Sequence, residues 1–88
     1  MTRTELATAS DKLESAVDSA GDNTDRLADL AGQLDQLADA ERGPDHGRMA
    51  RIQTALDEIQ QDVDDETAAT IEDARTEISN YRATVDGV

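Results

Sequence analysis

The sequence predicts an all-α protein, a long antiparallel helical hairpin with coiled-coil-like packing. Apolar residues recur at helical steps of three and four through most of the 88 residues. No run alternates with the period of two that marks a half-buried strand. Breakers cluster at two internal places, Gly21-Asp22-Asn23 and Gly43-Pro44-Asp45-His46-Gly47, with Gly32 isolated and Gly87 near the end.

The first arm opens on Thr2-Arg3-Thr4-Glu5, which reads as a capping box: the Thr2 hydroxyl takes the N3 amide and Glu5 reaches back. Apolar positions follow at Leu6, Ala9, Leu13, Ala16 or Val17, and Ala20, then at Leu27, Leu30, Leu34 and Leu37, flanked by Ala28, Ala31 and Ala38. The arm runs to Arg42 and stops at Gly43, a favoured C′ residue. Two signals conflict at Gly21–Asn23. Locally, glycine ends a helix and Asp22 caps the next one, with Asp25 at N3. Yet Leu6, Leu13, Ala20, Leu27 and Leu34 fall at strict intervals of seven, and the heptad crosses the turn without slipping. The expectation is one helix over about 2–42, with a break at 21–23 left open.

Pro44 suits the first turn of the second arm, and Asp45 suits the positive end of its dipole. The stripe is Met49, Ile52, Leu56, Ile59, Val63, Thr67, Ile71, Ala74, Ile78, Tyr81 and Val85. Its ten steps cover 36 residues, 3.6 per turn, with a stutter around Val63–Ile71. A helix over about 45–86 would be roughly 60 Å long.

Residues 2–42 and 45–85 are equally long, so a fold about Gly43-Pro44 leaves no overhang. Leu37 then faces Met49, Leu30 faces Leu56, Leu27 faces Ile59, Leu13 faces Ala74, Ala9 faces Ile78, and Leu6 faces Tyr81. Ala20, Gly21 and Asn23 meet Val63 and Thr67 in a thin middle layer that coincides with the stutter. The alternative is a three-helix bundle with a long third helix, which leaves half of that helix unpartnered. A hairpin buries each stripe on one side only, and alanines at 28, 31, 38, 55, 68 and 69 widen the apolar face. The expectation is therefore a homodimer of hairpins pairing into a four-helix bundle, within a single helical domain over 1–88.

Composition speaks to solvent. The net charge is −13, with 14 Asp to seven Glu and seven Arg to a single Lys, Lys12. Asp is a poorer helix former than Glu, so helix propensity alone would not choose this balance. High salt would: at about 1 M the Debye length is only ~3 Å and neighbouring carboxylates scarcely repel. Such a charge opposes binding to nucleic acid or an anionic membrane. No apolar run approaches a membrane span of about 20 residues. Met1–Glu5 lacks the apolar stretch of a secretory signal, and no cysteine is present for a disulfide or thiolate site. The expected location is the cytoplasm.

A search for chemistry yields no catalytic, cofactor or metal residue. His46, beside Asp45, has no second histidine or cysteine to work with and reads as an exposed turn residue. In Asp62-Val63-Asp64-Asp65-Glu66, residues Asp62, Asp65 and Glu66 would share a helical side and hold a divalent cation loosely, but the run lacks the glycine and spacing of an EF-hand loop. Ser10, Ser15, Ser19 and Ser79 lie in no nucleophile elbow, and no glycine-rich phosphate loop exists. Arg48 and Arg51 form a small basic spot diluted by Asp45. Arg26 with Asp22, and Arg82 with Asp86, read as helix-surface pairs.

The acidic composition, the length and the long helix after Arg42-Gly43-Pro44 resemble a small haloarchaeal protein family, a domain of unknown function. The resemblance implies a haloarchaeal cytosolic origin and a helical fold, and it carries over no activity and no site residue. The expected function is a non-catalytic, self-associating interaction or regulatory module with a protein partner not yet identified. The alternatives are an acidic nucleic-acid mimic and a weak divalent-cation binder.

Overall fold

The computed structural model describes residues 3–40 and 46–84. Among these residues the protein is all helical: α1 (Thr4–Ala16), α2 (Thr24–Asp39), α3 (His46–Gln60) and α4 (Asp65–Thr84). The features expected at Thr2, Gly43, Pro44, Asp45 and Val85 lie outside the described residues.

The hairpin is present, and it is folded in half. Each expected arm is broken at its middle, the first over residues 17–23 and the second over 61–64. The first break joins two short 3-10 turns, Val17–Ser19 and Gly21–Asn23, and Gly21 has a φ of 59°. An L-residue adopts that left-handed conformation at a cost; glycine does not, and this is where the chain reverses. The turn signal at 21–23 thus prevails over the unbroken heptad. Asp22 is not the cap that the sequence suggests. Asn23 occupies the N-cap position of α2 without a side-chain cap bond, and the Thr24 hydroxyl closes the turn by donating to the Gly21 and Val17 carbonyls at 2.8 and 3.1 Å.

The second break is a correction to the expected continuous helix over 45–86. It contains neither glycine nor proline. Asp64 terminates the gap by accepting the Thr67 amide at 2.8 Å, an N-cap bond that starts α4. The stutter of the stripe falls at this point, where a straight helix would carry its apolar face off the seam.

Hydrogen bonds trace how the four helices lie. Arg3 and Ser10 of the first strand of helix reach Ala38 and Ala31 of α2, so α1 and α2 run antiparallel. Gln53 reaches Ser79 and Gln60 reaches Glu72, so α3 and α4 do the same. Ser19 meets Thr67, and Arg26 meets Glu58, which preserves between the two arms the facing register expected of the hairpin. α1 packs along both α2 and α4, α3 packs along α4, and the α2/α3 seam is the loosest. The radius of gyration is 12.2 Å and the longest extent 36 Å. A compact 88-residue chain has a radius near 12 Å, whereas a straight hairpin of these arms would be roughly 60 Å long.

The core is the predicted stripe. Leu6, Ala9, Leu13, Leu27, Leu34, Met49, Leu56, Ile59, Ile71, Ala74 and Ile78 are all but fully buried, and Thr67 joins them. Val63 and Leu37 are only partly buried. Of the flanking alanines, Ala31 and Ala38 enter the core, while Ala28 and Ala69 stay exposed. The covering that a second hairpin was expected to supply is thus supplied by the other half of the same chain.

Candidate functional site

Small residues set the closest seam. Ser10 and Ala31 are both buried at the α1/α2 contact, and the Ser10 hydroxyl donates to the Ala31 carbonyl at 2.8 Å. That bond satisfies a hydroxyl that burial would otherwise strand. Ser10 is therefore a rivet between helices.

Arg3 acts at the end of the same seam. It stands at the N-cap position of α1, its own side chain makes no cap bond, and the helix begins at Thr4. The Arg3 amide donates to the Ala38 carbonyl at 2.8 Å, and its guanidinium donates to the Leu37 and Ala40 carbonyls at 3.0 and 2.7 Å. A cation at the last carbonyls of α2 satisfies them and complements the negative end of the dipole.

Across α3 and α4, Arg75 forms a polar clamp. Its guanidinium donates to Gln53 Oε1 at 3.0 Å, Gln60 Oε1 at 2.8 Å and Asp57 Oδ1 at 3.1 Å. Gln53 returns a bond to the Arg75 carbonyl at 3.1 Å. A planar fork suits several acceptors at once, as an ammonium does not.

The acidic run is divided by the second break. Asp62 lies in the turn and accepts from Asn23 Nδ2 at 3.0 Å, so it does not share a helical side with Asp65 and Glu66, which occupy the first turn of α4. Hydrogen bonds from Thr67 hold the Asp64 carboxyl below its ordinary value. Among the described residues no group of three or more metal-ligating side chains converges. Beside this run a depression of about 170 Å³ is lined by Ser15, Ser19, Asp64, Glu66, Thr67 and Thr70. Its Thr67 hydroxyl donates to Ser19 Oγ at 2.9 Å, tying the first break to the first turn of α4.

His46 is half-buried at the start of α3, and its Nδ1 accepts from Arg82 Nε at 3.4 Å. Arg82 thus faces α3, and the pair expected with Asp86 lies outside the described residues. Arg26 also departs from expectation, pairing with Glu58 of α3 at 2.7 Å in place of Asp22. The basic spot borders a groove of about 250 Å³ along the α2/α3 seam, lined by Leu30, Gln33, Arg48, Arg51 and Ile52. Arg48 donates there to Gln33 Oε1 at 3.5 Å. Ser15 donates to the Lys12 carbonyl, and Ser79 accepts from Gln53. The contacts of Ser10, Arg3 and Arg75 were not legible in the sequence. The one available signal was the small-residue face of Ala9-Ser10 opposite Ala31.

No helix among the described residues is long and apolar enough to cross a membrane. No curated protein and no solved structure matches the chain. One comparison is positive and spans nearly the whole sequence: over residues 1–84 the chain belongs to the family of unknown function DUF7553.

Proposed function

We propose that this protein is a non-catalytic, self-associating helical interaction module of a halophilic cytosol. The observation that supports a non-catalytic role is how its polar groups are spent. Ser10, Ser19, Asp64, His46 and Arg75, the side chains with most chemical capacity, are all engaged in holding helices or turns together. Outside them the surface is rich in carboxylates. Among the described residues Glu5, Asp57 and Glu77 are half-buried, and every other Asp and Glu is exposed. A surface of that kind, Asp-rich and Lys-poor, is stable in concentrated salt and self-repelling in dilute buffer. A haloarchaeal source fits the same composition.

Light scattering on a column run in molar KCl tests self-association over a range of chain concentrations. Association that rises with concentration supports the proposal. A 9.5 kDa species at every concentration would refute that part of it.

A further inference from the structure

We infer that self-association proceeds by exchange of halves between two copies, with Gly21 as the principal hinge. The inference rests on the self-associating module proposed above and names its partner, a second copy of this chain.

Four observations carry it. The two breaks lie at one level of the hairpin and touch through Asn23–Asp62 at 3.0 Å, and Ser19 of the first meets Thr67 in the first turn of α4 at 2.9 Å. The stripe spacing continues through both, from Ala20 to Leu27 one heptad on in the first arm and through Ile59, Val63, Thr67 and Ile71 in the second. The residues bounding the first break already have helix-like backbones: Val17 at φ −56° and ψ −44°, Ala20 at −84° and −3°, Thr24 at −53° and −50°. Gly21, at φ 59°, is the one described residue with a positive φ. Finally, α1 faces α4 and α2 faces α3 in the register of a straight hairpin even though the chain is folded.

Opening both breaks turns each arm into one helix without disturbing that register. The faces that α1 presented to α2, and α3 to α4, are then uncovered. A second open chain, laid antiparallel, covers them with the same residues: Ser10 of one copy meets Ala31 of the other. Every helix–helix contact is remade, and only the two break segments change. Exchange of identical elements is a low-cost route to a dimer for this reason. In the closed monomer the halves meet at an effective concentration on the order of millimolar, which holds the balance toward the monomer.

Gly21 tips this balance. A Cβ built there meets nothing within 4 Å, so Gly21→Ala acts through the backbone alone. Alanine disfavours the left-handed turn and favours continuous helix. The expected shift is about tenfold or more per chain toward the open form, hence about a hundredfold or more in the dimer dissociation constant. Asparagine tolerates the left-handed region, so Gly21→Asn serves as the control.

The test pairs light scattering in molar KCl with a crosslink across the α1/α2 seam. Ser10→Cys and Ala31→Cys are combined in the native and Gly21→Ala backgrounds and joined by oxidation or a short thiol crosslinker. Exchange predicts dimers for Gly21→Ala at concentrations where Gly21→Asn is monomeric, with the crosslink joining two chains. Dimers whose crosslinks close within each chain would overturn exchange while leaving self-association standing. Monomers in every background would overturn both. Should Gly21→Ala fail to fold, the native-background pair is refolded at about millimolar chain concentration. Crosslinks between chains then support the inference, and crosslinks only within chains defeat it.

Discussion

Ser10→Leu separates the folded-in-half bundle from a straight hairpin by stability alone. Ser10 is 1% exposed, touches Ala31, also 1% exposed, and donates to its carbonyl at 2.8 Å. Losing the hydrogen bond costs about 1 kcal/mol. Forcing a leucine against a small-residue seam adds about 1–3 kcal/mol of overpacking. The expected total of roughly 2–4 kcal/mol lowers Tm by roughly 10–25 °C for a domain of this size. Ser10→Ala, which keeps the volume nearly unchanged, costs only about 1 kcal/mol. In a straight hairpin Ser10 would not meet Ala31 of its own chain, and added apolar surface on that flank would be neutral or stabilising. Thermal unfolding of both variants, followed by circular dichroism in molar KCl, decides the matter. A Ser10→Leu protein that melts at or above the parent temperature would refute the seam.

Three further outcomes are expected. Lowering KCl from molar to millimolar reduces helicity and Tm, because unscreened carboxylates repel across a surface carrying most of the −13 charge; unchanged circular dichroism would contradict this. Arg75→Met and Arg75→Lys each lower the urea midpoint by about 1 kcal/mol equivalent, since lysine cannot span the Gln53, Asp57 and Gln60 acceptors; full rescue by lysine would show that charge alone matters there. The lowered Asp64 pKa means that its ionised form is favoured by folding, so its contribution is complete above the unfolded-state value and is lost as pH falls through the folded one. Asp64→Asn keeps a capping acceptor without the titration, so the stability advantage of the parent over this variant shrinks on acidification, and an advantage constant down through the carboxylate range would rule out the linkage.

Much of the fold was legible because burial on one face of a helix imposes its own periodicity. The stripe from Met49 to Tyr81 is buried at nearly every expected position. The facing of the two arms was legible too, since equal arm lengths fix it, and Ser19–Thr67 and Arg26–Glu58 stand where that register puts them. The second break was not legible. Gln61-Asp62-Val63-Asp64 holds no glycine or proline, and its only trace was a stutter that a supercoil would also explain. Nor was the role of Arg3, whose acceptors lie more than thirty residues away.

The amino-acid order alone settled the helices, their buried faces and the carboxylate-rich surface, because each depends on neighbours within a turn or two and on bulk charge. The direction of the chain at its two midpoints was settled only in three dimensions. A heptad that stays in phase through Gly21 is satisfied equally by a helix that continues and by one that turns back. The choice depends on which distant face, α2 on α1 or a second copy, arrives to cover the stripe.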